Sequence, residues 1–271
     1  MVIAQVWDDL CNTDIESAQI PESERNLNGL RQLLLAYYEI WSYPKNRRII
    51  QLHFFPIGEK NTYGKNLWKW VGRVAELLPS KIRWLERFED PNAEKFIVSV
   101  DGVDFRKNEN RKHPTEPMDR QEMSHKFKHA AYKWEVAVAL YSNHIVWVNG
   151  PFKGGENDLT ILRNGQPDGS GNILDLIPEG KWAMTDRGYR TDVPEEMSKI
   201  GYKRDDDPVQ LKRYKGRGTS RGETINARIK EFESMSKTFR HGDAEHTAAF
   251  KAVVVTVQYH LDMGVKTLFD M

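Results

Sequence analysis

The sequence predicts a mixed α/β fold with a helical front, and three observations carry that expectation. Apolar residues recur at three- and four-residue steps from Leu27 to Trp41 and again from Leu67 to Phe88, the period of a helix face. Apolar runs of strand type then take over in KFIVSVDGVDF (95–105), WEVAVALYS (134–142) and HIVWVNG (144–150). Helical periodicity returns in ETINARIKEFESM (223–235) and HTAAFKAVVVTVQYHL (246–261). Helices, then strands, then helices is the element order of a sheet covered by helices.

Each element can be placed in order. Pro79 should break or kink the second helical segment, because its ring removes a backbone donor. The pattern changes near Asp90-Pro91-Asn92, which divides the chain into a helical region (1–91) and a strand-rich domain (92–271). The run 95–105 reads as a buried strand ending at Asp101-Gly102. The next two strands are joined by a tight turn at Ser142-Asn143, and a Gly-rich loop, GPFKGGENDLTIL, then leads into a short helix. Glu156, Asn157 or Asp158 stands near the start of that helix. KWAMT (181–185) is a further strand, with Asp186 just past its end. Pro194–Gly201 reads as a short helix and 203–222 as a charged, Gly-dotted loop. Glu223 then begins an amphipathic helix that aligns Ile225, Ile229 and Phe232, and 246–261 closes the chain as an apolar helix, with a strand as the alternative for its Val run.

With 271 residues, 39% hydrophobic and 29% charged, the chain is long and apolar enough to bury a core, which excludes wholesale disorder. The net charge of +1 is unevenly spread: residues 1–24 carry six acids and no Lys or Arg, whereas 212–221 carries five bases and no acid. Cys11 is the single cysteine, so a disulfide framework and a Cys-based zinc site are excluded, and a reducing compartment is expected. No apolar run approaches the roughly 18–20 residues that span a bilayer. The N-terminus lacks a basic stretch followed by an apolar one, so neither membrane insertion nor secretion is expected.

Three acids stand out by position: Asp101 on the first strong strand, Asp186 at the end of a later one, and Glu223 on a helix. Each alone is ordinary turn or helix-start chemistry. Together they meet the need of two divalent cations about 3.5–4 Å apart for hard oxygen ligands on rigid elements. Asp104 competes for the first place and Glu231 for the third. Other motifs lead nowhere comparable. His125 and His129 are four apart but lack a third ligand, and His241 and His246 lack the spacing and Glu of a zinc-protease helix. KGGEND lacks the Gly-Lys-Ser/Thr ending of a phosphate-binding loop.

Five segments in order, SVDGVDF, KWEVAVAL, IVWVNGPFKGGENDLTIL, MTDRGY and RGETINARIKEF, resemble the DDE superfamily of transposases, most closely the Harbinger type, over roughly residues 92–264. Related bacterial transposases carry Tyr-x2-Arg-x3-Glu-x6-Lys around the third acid. This chain has Tyr214-x2-Arg217 and Glu223-x6-Lys230, with five residues rather than three between Arg and Glu. The resemblance implies an RNase H-like mixed central sheet flanked by helices. It implies Asp101, Asp186 and Glu223 as the catalytic, metal-binding acids, holding two Mg2+ or Mn2+ ions. Asp158 falls on a recurrent family position and reads as a supporting residue or helix cap. The expected activity is metal-dependent cleavage and strand transfer of DNA in the nucleus, the alternative being a domesticated descendant that binds DNA or protein without cutting. An acid-pair glycosidase is more distant, because neither the Gly-rich loop nor the basic strip calls for it. Lys212, Arg213, Lys215, Arg217, Arg221 and Lys230 are expected on backbone phosphates. Residues 1–91 show no DNA-reading motif, so a separate DNA-binding partner protein is expected to supply end recognition, alongside a second copy of the chain in a homodimer.

Overall fold

Strand β1 (Phe96–Arg106) is apolar along most of its length because both of its faces are covered. It pairs antiparallel with β3 (His129–Ala139) on one side and parallel with β5 (Trp182–Thr185) on the other. Strand β4 (Ile145–Lys153) continues the antiparallel side, β6 (Ile200–Tyr202) continues the parallel side, and a two-residue β2 (Met123–Ser124) joins the start of β3. The result is a mixed six-stranded sheet with helices on it, in a computed structural model that describes residues 2–46, 60–84, 95–109, 115–117, 119–166, 171–265 and 268. The tight link between β3 and β4 falls at 140–144, where the turn was expected.

The chain divides into two compact units, each discontinuous in sequence. One comprises Met1–Lys81 with Ile229–Met263, the other Ile82–Arg228 with Gly264–Met271. The first is helical. It contains α1 (Val2–Asn12), α2 (Leu27–Ser42), α3 (Lys60–Glu76), the short α4 (Leu78–Lys81) and α9 (Glu233–Ser236), with α10 (Asp243–Asp262) packed on α3. Asn26 caps α2, its side chain accepting from the amides of Asn28 and Gly29. Pro79 stands in the first turn of α4, and the break it was expected to cause falls at Leu77. The Val run of 253–255 is helical and fully buried in α10. The expected extension to Phe88 and the boundary at 91/92 lie outside the described residues.

The second unit holds the sheet, with α5 (Asp158–Asn164), α6 (Ile173–Leu176) and α7 (Pro194–Met197). Val98, Val100, Leu162, Ile173 and Tyr189 share one apolar cluster; Phe96, Leu140 and Met184, with Tyr214 against them, form another.

Three expectations are corrected here. The strand does not end at Asp101-Gly102 but runs on to Arg106, because β3 stays paired with it along that stretch. Pro194–Gly201 is only in part a helix: it stops at Met197, and Ile200 opens β6. Most importantly, 203–222 is not a loop. Val209–Ile229 is one helix, α8, so Glu223 lies well inside it instead of starting it. Glycines that look like breakers are close-packing positions. A Cβ on Gly218 would stand 2.1 Å from the sulfur of Met184, and one on Gly222 would stand 3.2 Å from Oγ of Ser99. Each glycine weakens the helix by about 1 kcal/mol relative to alanine, and close contact with β1 and β5 overrides that preference.

Candidate active site

The register of β1 and β5 brings two of the three predicted acids together. Their last parallel pair is Ser99 with Met184. Asp101 and Asp186 each stand two residues beyond that pair. A strand repeats its faces every second residue, so each acid follows the face of Ser99 or Met184, the face on which α8 lies. Strand β5 stops at Thr185 while β1 continues, so the pair sits at the open end of β5.

Asp186 caps a turn and stays exposed. Its Oδ1 accepts from the Gly188 amide at 2.7 Å, capping the short turn Arg187–Tyr189, and it remains at the surface. Its carboxyl lies above the ordinary range. Partial burial and the charge of Asp158 raise it, against the lowering effect of the Gly188 and Tyr189 amides. Asp101 is more strongly perturbed: burial first, then Asp186 and Asp158, push its carboxyl up to about 6. Glu223 adds to that push from α8, one residue past Gly222, where a Cβ would come within 3.7 Å of the Asp101 Cβ. Glu223 itself is exposed on the helix. Glu231, its competitor, lies past the end of α8.

Three contributors were missed in the sequence. Asn226 on α8, mostly buried, donates from Nδ2 to Oδ2 of Asp101 at 2.7 Å. Lys133 on β3 is buried and binds Oδ1 of Asp158 at 3.0 Å and the Glu156 carbonyl at 2.7 Å. Glu135 is buried opposite Gly102 and accepts from the Trp147 indole at 3.2 Å. Burial pushes it up to about 7, against the hydrogen bonds from Trp147 and Asn149. A signal was available for the last two: a Lys and a Glu inside the apolar run YKWEVAVAL must each find a partner or shift protonation.

Asp158 is wedged between the two acid-bearing segments. Its Oδ1 lies 2.6 Å from where a Gly102 Cβ would be, and its Oδ2 2.9 Å from a Gly188 Cβ. Both glycines are therefore needed to admit it. Asn157, not Asp158, caps α5. Asp104 faces away from Asp101, as expected; it accepts from the Ser124 hydroxyl at 2.5 Å, and Lys133 stands 4.0 Å away.

The expected phosphate-binding bases separate into two groups. Lys215 and Arg221 are buried and engaged: Lys215 with the Tyr202 carbonyl and Asp207, both at 2.9 Å, and Arg221 with the Ser142 carbonyl at 2.7 Å. Helix α8 turns both toward the sheet, where these contacts anchor them. Arg213 and Arg217 are exposed on α8, Lys212 is half-buried and holds the Asp205 carbonyl at 2.6 Å, and Lys230 is half-buried past the end of α8. His125 lies in the turn before β3 and His129 is the first residue of that strand, so they share no helix face.

Among the described residues, no group of three or more His, Cys, Asp or Glu side chains is gathered at metal-ligand spacing, and no helix is long and apolar enough to cross a membrane. The donor chemistry nonetheless suits a hard divalent cation, because carboxylates that raise one another's protonation are relieved by a cation between them. Comparisons with family models, curated proteins and solved structures find no match.

Proposed function

We propose that this chain is a DDE-type transposase or endonuclease that cleaves and joins DNA phosphodiesters with Mg2+ or Mn2+. The observation that carries the reading is the placement of Asp101 and Asp186 level with each other past the last Ser99–Met184 pair, at the open end of β5. The sheet supports it: three antiparallel strands (β4, β3, β1) followed by two parallel ones (β5, β6) is the arrangement expected of an RNase H-like core.

Asp101 and Asp186 would hold the cation pair, with Glu223 swinging in from α8. Divalent ions held by these carboxylates would supply the Lewis-acid chemistry that phosphodiester cleavage and joining need. Asn226 orients the Asp101 carboxylate by holding Oδ2. Asp158, fixed by Lys133, keeps the segments of Asp101 and Asp186 at their spacing. Arg213 and Arg217, exposed on α8, contact backbone phosphates in this reading, with half-buried Lys212 beside them. DNA is the substrate, a separate protein supplies end recognition, and the nucleus is the site of action.

Exposed Glu223 favours one second reading, a descendant that binds DNA or protein without cutting. A cleavage assay on labelled duplex and flapped DNA with Mg2+ or Mn2+ separates the two. Metal-dependent cutting that is lost in Asp101→Ala and Asp186→Ala supports the nuclease. Absence of cutting with the native chain, candidate partners included, supports the second reading.

A further inference from the structure

Helix α2 shows solvent an apolar face. Leu27 is 66% exposed, Leu34 44%, and Tyr38 and Trp41 49% each. With Arg31, also exposed, they stand at steps of four, three, four and three residues. At about 100° per residue these five positions fall within an arc of roughly 80° along about 21 Å of helix. The opposite side of α2 already packs in its own unit, through buried Leu33, Ala36, Tyr37 and Ile40. The stripe is therefore a second apolar face on a helix whose first is used, and the Trp41 ring is held at 5.0 Å edge-on to Phe232. An aromatic fixed in place and half open to water is the usual anchor of an interface.

The stripe is its own complement. Leu34 lies at its centre, with Leu27 seven residues before it and Trp41 seven after. A two-fold axis through Leu34, with two copies of α2 running antiparallel, sets Leu27 against the partner subunit's Trp41 and Leu34 against the partner subunit's Leu34. It also lays Arg31, the one charge on the stripe, beside the partner subunit's Tyr38, where a guanidinium gains from an aromatic face. A parallel pairing would instead stack Arg31 on the partner subunit's Arg31. We infer that α2 is a self-association surface and that two copies of this chain dimerise through antiparallel α2 helices about Leu34. The test of this surface is independent of any nuclease activity.

Sedimentation of the full chain across micromolar concentrations should show a monomer–dimer equilibrium. Leu34→Glu sets two like charges on the axis and should raise the dissociation constant roughly tenfold or more, with the circular dichroism and melting of the monomer unchanged. In a Cys11→Ser background, Leu34→Cys should oxidise to a disulfide-linked dimer. Mixing Leu27→Cys with Trp41→Cys should cross-link, whereas Leu27→Cys alone should not. A chain that stays monomeric, a dimer indifferent to Leu34→Glu, or cross-linking by Leu27→Cys alone would overturn the proposal. So would a monomer whose α2 stripe becomes protected only when a different protein is added.

Discussion

Asp101 and Asp104 lie three residues apart on one strand, on opposite faces, and they live under different electrostatic conditions. Asp104 is matched: the Ser124 hydroxyl donates to it and Lys133 stands beside it. Among the described residues Asp101 has the Asn226 amide as its close side-chain donor, while Asp186, Asp158 and Glu223 all crowd it with like charge. A buried acid that is matched belongs to the fold. An acid that its neighbours make harder to ionise costs stability, and that imbalance is what the proposed cation would relieve. The two faces of β1 thus teach how a matched acid differs from a crowded one in the same sequence segment.

The comparison can be broken from the Asp104 side first. Lys133 is the cation shared by Asp158 and Asp104, and Lys133→Met should destabilise the fold by about 3–5 kcal/mol, read by chemical denaturation, because it leaves buried charge unpaired. A loss under about 1 kcal/mol would mean that the two faces are not held apart by that amine. On the other side the sign reverses. Asp101→Asn removes the crowded charge, and the rise from 3.8 to about 6 corresponds to roughly 3 kcal/mol as an upper bound on the gain at neutral pH. The variant should melt higher than the native chain without metal.

The pH profile sharpens the same contrast. Folded Asp101 holds its proton to higher pH than the unfolded chain does, so its contribution makes stability fall as pH rises from 3.8 to about 6 and stay level above that. Glu135 acts in the same sense between 4.5 and about 7. Urea melts across this range should show the decline in the native chain and a smaller decline in Asp101→Asn. The smallest effect is expected at Gly188, in the turn after β5. A Cβ on Gly188 would stand 2.9 Å from Oδ2 of Asp158 and 3.0 Å from Oδ1 of Asp186, so Gly188→Ala should cost about 1–2 kcal/mol and weaken Mn2+ binding in a calorimetric titration.

The parts legible in the sequence were those where one face is buried at a regular period. Helix α2 and strands β1, β3, β4 and β5 announce themselves by apolar spacing, and Asp186 by its turn residues, whereas the Val run of α10, buried on every side, fits a strand as well as a helix. Helix α8 did not, because its buried stripe is built of Lys215, Gly218, Gly222 and Asn226 as well as Ile225 and Ile229. Glycine there marks close approach to a strand, which no local pattern records. For the same reason Lys215 and Arg221 read as a solvated basic strip until the helix turned them inward. Strand β6, three residues with a central glycine packed against the Phe96 ring, is too short to carry a period. Asn226 and Lys133 could not be foreseen as partners of acids 125 and 25 residues away, since only the sheet register and the seating of α8 bring them together.

The central claim, that Asp101 and Asp186 form a cation site, is tested most directly by melting the native chain and Asp101→Asn with and without millimolar Mg2+. Without metal, Asp101→Asn should melt above the native chain. With Mg2+ the native chain should gain and the variant should not, so that the difference narrows or reverses. A native chain whose melting does not respond to Mg2+ or Mn2+, or a variant that gains as much as the native chain, would contradict it.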